Sequence, residues 1–448
     1  MISHDSRSRA RTAVQGDAGR HRSHAGQQSP YRDTFAFREF AGLWSAQVLS
    51  SAGDQLAQVA IAVGVYERTR SPLLTVLIYA VGIAAQLTGG PLLAEVAGLY
   101  TQRSLMIGLA LGRAGLVTVM ATARLPFAGL CALLVTAVML GGPFADTRSG
   151  LMPWILPAGQ QDAGAEISSF SCRAGQVLGF LAGGVAVALL RPSGALLLDA
   201  MVFLAAAGLV GSWVIMRPLP PRRAPRPLLL PVTRPEAAAV LREPVPRALL
   251  IFTWLASCAV VPEALAAPYA RELHGGRLAT GLLLAAIPAG AVAGAAAFAL
   301  VARPADRLRL MSWLPIVCCA PLTGTLLHPP LWAVTASWAV AGAGGAYQLA
   351  ATAAFIRTVP AASRTRAVDL AQSGFAAVQV VGLVLAGLTA ELIGPRAVIA
   401  VTGLFGVAVA TTLGRSWRRL TGQLPPVRHY RALAPDQGSR GRRARPNS

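Results

Sequence analysis

The chain has 448 residues, of which 54% are hydrophobic and only 13% charged, and its mean hydropathy is +0.53. A soluble protein of this length needs far more polar surface, so composition excludes an ordinary soluble domain and points to an integral membrane protein. The net charge of +21 rests on 40 basic residues, all arginine, and their placement fits membrane orientation rather than nucleic-acid binding.

Residues 1–38 are polar and lack an apolar signal core, which predicts a disordered basic cytoplasmic tail. Twelve apolar stretches follow, at 43–66, 73–95, 105–123, 127–147, 166–190, 194–215, 248–270, 279–302, 309–327, 331–356, 367–391 and 396–414. Most are about 20 residues long, the length of a membrane-spanning helix. Gly141-Gly142-Pro143 predicts an early end or a kink in the fourth. The expected organisation is an all-α membrane protein of two pseudo-symmetric six-helix halves, 39–215 and 248–416. A Pro/Arg-rich cytoplasmic linker, 216–247, joins them, and a basic cytoplasmic tail, 417–448, follows.

With both tails cytoplasmic, 31 arginines fall on the cytoplasmic side. Seven fall in the outer loops: Arg68, Arg70, Arg124, Arg191, Arg271, Arg277 and Arg396. That asymmetry follows the positive-inside rule and predicts a multi-pass protein of a bacterial plasma membrane, with its basic segments near anionic lipid headgroups. Cys131, Cys172, Cys258, Cys318 and Cys319 read as small buried hydrophobes. No nucleotide-binding loop, metal-ligand spacing or nucleophile–base pair occurs, so neither an ATP-driven pump nor an enzyme is expected. No cofactor is expected either; the energy source would be a proton gradient.

A glycine ladder occurs twice. Gly175, Gly179, Gly183 and Gly184 lie in the fifth span, and 203 residues later Gln379, Gly382 and Gly387 repeat Gln176, Gly179 and Gly184 in the eleventh. Pro157 and Pro192 align with Pro360 and Pro395 at the same offset. Glycines four apart share one helix face and allow close helix packing, and a repeat of this length implies two related halves.

These features resemble the major facilitator superfamily, in particular its twelve-helix bacterial branch of drug, macrolide and siderophore exporters. The similarity covers roughly 35–416. Gly175 to Gly184 resembles the antiporter motif of helix 5, with Phe180 where a proline is usual. Ser51-Ala52-Gly53-Asp54 resembles helix 1, Leu197 to Phe203 the start of helix 6, and Pro262 to Tyr269 helix 7. The basic latch between helices 2 and 3 is degenerate over 90–103, where only Arg103 clearly persists. The resemblance implies proton-coupled export of small amphipathic organic molecules, such as antibiotics or secondary metabolites, by a monomer working through alternating access. A facilitator or lipid transporter of the same fold, or a membrane sensor or scaffold without transport, remains open.

Asp54 lies near mid-membrane, where burying a carboxylate costs about 2.5–3.5 kcal/mol or more, so it is a candidate proton carrier. Its alternative is a structural pair with Arg113. Glu263, between Pro262 and Pro268, is the second proton-coupling candidate, or else a loop-edge carboxylate paired with Arg271. Arg113, Arg173 and Asp199 read as structural intramembrane charges, Asp199 as a packing or capping partner. Gln58, Gln86, Trp254, Trp338, Tyr347 and Gln348 are candidates for the substrate cavity, with interfacial anchoring the competing role of the aromatics.

Overall fold

A computed structural model describes residues 34–35, 37–97, 99–123, 125–157, 160–217, 241–301, 310–359 and 364–422. Among these, all regular structure is helical. Helices α1 (Arg38–Thr69), α2 (Pro72–Ala97), α3 (Gln102–Thr122) and α4 (Phe127–Ile155) come first. Local chemistry sets their starts. The Ser71 hydroxyl accepts from the Leu74 N–H at 3.2 Å, and Pro72 sits where a helix needs no donor. The Thr101 side chain accepts from the Ser104 N–H at 3.4 Å at the head of α3. The expected early end of α4 does not occur. The helix passes through Pro143 and continues to Ile155, because Phe144, Leu151 and Ile155 are buried in a core with α1 and α3.

A helical run then extends over Gln161–Trp213, 53 residues, interrupted only at Arg191 with φ 62 and ψ 169. Straight, it would be about 80 Å long, far beyond a hydrocarbon core of about 30 Å. It is instead a hairpin of α5 (161–190) and α6 (192–213), and its two arms lie on α1 in opposite directions. Gly175, Gly179 and Gly183 meet Val48, Ala52 and Leu56 in turn, a parallel pairing at four-residue intervals. Pro192, Asp199 and Trp213 meet Gly64, Gly53 and Gly42, an antiparallel one.

In the second set, the seventh expected span is broken into α7 (Pro244–Leu255), a 3-10 turn (Ala256–Ala259), α8 (Val260–Ala264) and α9 (Ala266–Glu272). Pro262 and Pro268 cannot donate to the carbonyls of Cys258 and Ala264, and the breaks fall there. Then come α10 (Gly276–Val301), α11 (Leu314–Thr323) with a 3-10 extension (Gly324–Leu327), and α12 (Leu331–Gly344). They are followed by α13 (Tyr347–Thr358), α14 (Arg364–Ile393) and α15 (Pro395–Gly422). Ten helical runs among the described residues are long and apolar enough to cross a membrane, one of them the α5–α6 hairpin, and Leu314–Leu327 is a shorter apolar helix. Residues 218–240 of the linker, 1–33 and 423–448 of the tails and the side chains of 90–98 in the latch segment lie outside the description, as does Pro360.

Three buried cores hold the helices. One joins both sets and gathers the ends nearest the α1–α2 and α14–α15 turns, including Val59–Val65, Phe180, Leu265, Tyr269, Leu283 and Leu383. The other two are separate. One, around Phe40, Met106, Phe144 and Val210, belongs wholly to the first set; the other, around Phe252, Cys319, Tyr347 and Trp417, belongs wholly to the second. The two sets thus share apolar packing at one end and are packed independently at the other. At that independent end Glu39 receives both Arg217 guanidinium nitrogens, at 2.5 and 2.8 Å, and so raises that guanidinium's hold on its proton.

Candidate functional site

The face of α1 toward the independently packed end is polar. Gln47, Ser51, Asp54 and Gln58 are all half-buried and recur at helical spacing, whereas the next turns, Val59–Val63, are buried all round. Such a stripe is the polar lining that a path for water along α1 would need, and it stops where the shared core begins. Ser51 bonds the carbonyl of Cys172 on α5 at 3.3 Å, and Gln47 accepts from Arg148 on α4.

Asp54 sits in this stripe with 40% of its side chain exposed, and its carboxylate pairs with Arg113 from α3, whose side chain is only 10% exposed. The second guanidinium nitrogen reaches the Ser50 hydroxyl at 3.4 Å. The guanidinium carbon lies 4.2 Å from the centre of the Phe203 ring on α6. Arg113 is therefore held by a charge, a hydroxyl and an aromatic face together, a combination that suits a planar guanidinium. Its Nε is buried without a partner. Asp199, one turn before Phe203, is 0% exposed, and neither carboxylate oxygen has a hydrogen-bond partner. It faces Gly53, where any Cβ would collide with it. Of the two roles expected for Asp199, the structure shows packing, against Gly53, and not capping, since it is mid-helix and bonds no backbone N–H.

A second polar group lies toward the shared core. Tyr79 on α2 is 6% exposed. Its hydroxyl is in electrostatic range of Glu263 and beside Gln58, and it forms no hydrogen bond. Glu263 is half-buried in α8, within the broken span, and forms no ion pair with Arg271. Gln58 is one turn from Asp54 on the same face of α1.

The other cavity candidates scatter. Trp338 is 0% exposed and stacks on Tyr269, with centroids 6.1 Å apart and planes at 21°; it fills the shared core rather than a cavity. Tyr347 is also 0% exposed, packed edge-on against Phe252 at 6.3 Å. Both large rings gain more from burial than from a wet surface. Trp254 is half-buried and donates to the Ala371 carbonyl at 3.2 Å, Gln348 is half-buried, and Gln86 and Arg173 are exposed. A cavity of about 210 Å³, lined by Gly64, Arg68, Met120, Phe127 and Pro192, opens on the flank of the first set, away from Asp54.

The glycine ladder divides between two jobs. Gly175, Gly179 and Gly183 pack α5 on α1 inside the first set, whereas Gly184 meets Gly281 of α10 backbone to backbone. Phe180, in place of the usual proline, is buried in the shared core, and its carbonyl borders Gly281. In the second copy Gly387 meets Leu73 and Val76 of α2, while Gly382 has nothing within 4 Å. The two seams between the sets, α5 on α10 and α14 on α2, are thus pseudo-symmetric at Gly184 and Gly387. Polar contacts join the same end. Arg277 bonds Glu67 at 2.7 and 3.1 Å. Glu391, from the end of α14, accepts from the Ser71 hydroxyl and from the Leu73 N–H, the latter at 3.1 Å, so it caps α2 across the seam. The Arg277–Glu67 and Glu391–Ser71/Leu73 hydrogen bonds and the Gly184–Gly281 and Gly387–Leu73 contacts between the sets lie together at this end.

Sequence reasoning missed Ser50, Tyr79, Phe203, Gly281, the Glu67–Arg277 pair and the Glu391 cap. Ser50 and Phe203 carried a signal, being four residues from Asp54 and Asp199 on the same helix faces.

No protein-family model and no curated protein matches the chain. Solved structures do match in fold. A POT family transporter in complex with a thioalcohol-conjugated peptide aligns with a TM-score of 0.69 at 12% identity, over 86% of this chain and 97% of that one. A bacterial homologue of the human lysosomal transporter Spinster, inward-facing and occupied, gives 0.67 at 15%, over 89% and 100%. The nucleoside transporter NupG gives 0.66 at 12%, over 84% and 99%. The chain therefore shares the all-α, many-helix fold of these solved transporters.

Proposed function

We propose that the protein is a proton-coupled secondary transporter, working as an exporter of small amphipathic organic molecules by alternating access. The observation that carries this reading is the polar stripe of α1. It runs from the independently packed end to mid-depth, holds the Asp54–Arg113 pair, and stops at the shared core. A carboxylate at that depth, half-exposed to the path and paired with a cation, exchanges a proton when a cationic substrate or a change of access weakens the pair. With the arginine-poor loops outside, the joined end faces outward and the conformation is open to the cytoplasm of a bacterial plasma membrane, both termini being cytoplasmic. The chain acts as a monomer among lipids, with no bound cofactor and the proton gradient as energy source.

Export direction and substrate class rest on the antiporter-like ladder. The test is ethidium accumulation in everted membrane vesicles with an acid interior. The reading expects uptake that collapses with a protonophore and falls to the empty-vector rate in Asp54→Asn. Uptake indifferent to the pH gradient would make the protein a facilitator. Proton-driven uptake that survives Asp54→Asn would remove Asp54 from the coupling site.

A further inference from the structure

Asp199 on α6, and Arg113 resting on Phe203 one turn further along α6, present two unmet halves of an ion pair. Both Asp199 oxygens are buried and lack any donor, and the Arg113 Nε is buried and lacks any acceptor. Arg113 rests on Phe203, which lies four residues along α6 from Asp199 and so on the same face. The charged groups that face Asp199 are Arg113 from α3 and Asp54 from α1; α6 contributes none within a turn on either side. Gly53 has no side chain to stand between Asp199 and the Asp54 turn.

An ionised carboxylate with no donor in an apolar interior is strongly disfavoured, and a proton relieves it. With Asp54 ionised, Arg113 charged and Asp199 neutral, the triad has no net charge. Moving one proton from the Asp199 carboxyl to the Asp54 carboxylate, while the guanidinium moves from Asp54 to Asp199, leaves that net charge unchanged. Both arrangements avoid an unpaired charge at mid-membrane. We infer that Asp199 is the second carboxylate of the coupling site: it holds a proton while Arg113 is paired with Asp54, and it becomes the guanidinium's partner when Asp54 is protonated. This deepens the proton-coupled reading and rests on it. It turns a residue expected to be structural into one that positions Arg113, with Asp54 as the point where the proton reaches water.

The test reads protonation directly and needs no substrate. Infrared difference spectra of the purified full-length protein in lipid at neutral pH are compared for wild type, Asp199→Asn and Asp54→Asn, with deuterium exchange identifying protonated-carboxyl bands. Asn is isosteric with the neutral carboxyl, so Asp199→Asn is expected to fold and to lose one such band completely. Asp54→Asn is expected to lose the same band, because Arg113 turns to Asp199 and strips its proton, although Asp54 itself carries none in the wild type. Persistence of the band in Asp199→Asn means that Asp199 is ionised, and its persistence in Asp54→Asn means that the guanidinium does not exchange; either result overturns the inference. Vesicle transport is scored separately, so failure of the exchange is distinguishable from failure of the transporter reading.

Discussion

Replacing Gly184 by alanine adds one methyl at the seam between the two sets. Its Cβ would lie 2.8 Å from the Gly281 Cα and 3.4 Å from the Leu278 carbonyl oxygen. Non-bonded carbons settle at about 3.5–4.0 Å, so α5 and α10 must part by about 1 Å. The obstacle is backbone, which no rotamer change can move aside. Overpacking of this kind costs about 1–3 kcal/mol. The cost falls only on the conformation in which the seam is closed, so the closed population should drop about 5–150-fold relative to the open one. Spin labels on Arg68→Cys and Leu392→Cys, both exposed near the joined end, would report the separation by pulsed electron resonance in a background otherwise free of cysteine. Gly184→Ala should move weight from the short to the long distance. Gly382→Ala, placed where nothing lies within 4 Å, should leave the distribution alone. An unchanged distribution in Gly184→Ala, with the protein still folded, refutes the assignment of Gly184 to the moving seam.

Three other outcomes follow from the same geometry. Gly179→Ala collides with the Ala52 backbone inside the first set. It should lower thermal stability by about 1–3 kcal/mol without moving the spin-label distances. Arg113→Met leaves Asp54 without its cation and should lower stability in chemical unfolding, by less than the about 3–5 kcal/mol of a fully buried pair because 40% of the Asp54 side chain is exposed; Arg113→Lys should not restore it, because an ammonium cannot match the guanidinium's fork and its stacking on Phe203. Glu391→Gln keeps the shape of the cap on α2 but removes its charge, so the joined end should react faster with an impermeant thiol reagent at a cysteine in place of Thr69. Equal labelling rates would show that the cap does not hold the end closed.

Much of the fold was legible because crossing a bilayer fixes the length and polarity of each segment. The hairpin was legible as two apolar stretches separated at Arg191-Pro192-Ser193-Gly194, and the chain turns there at Arg191, with φ 62. The α4 boundary failed for a different reason: Gly141-Gly142-Pro143 is a local stop signal, and burial of Phe144 and Leu151 overrides it. In the site, Asp54 stood out because a carboxylate in an apolar stretch is costly wherever its neighbours lie. Asp199 carried the same signal, but its significance depends on Gly53, 146 positions earlier, and on Arg113, and only the folded chain brings these together. Trp338 and Tyr347 show the converse. Aromatic identity suits a drug pocket or a core equally, and packing decides for the core.

The central claim is that inward proton movement through Asp54 drives an organic molecule out. Proteoliposomes containing the purified protein and a trapped pH indicator test it most directly. With ethidium loaded in the lumen and a pH difference imposed across the membrane, the account predicts proton movement coupled to ethidium movement in the opposite direction, lost in Asp54→Asn. Proton flux identical with and without ethidium, or identical in wild type and Asp54→Asn, contradicts it.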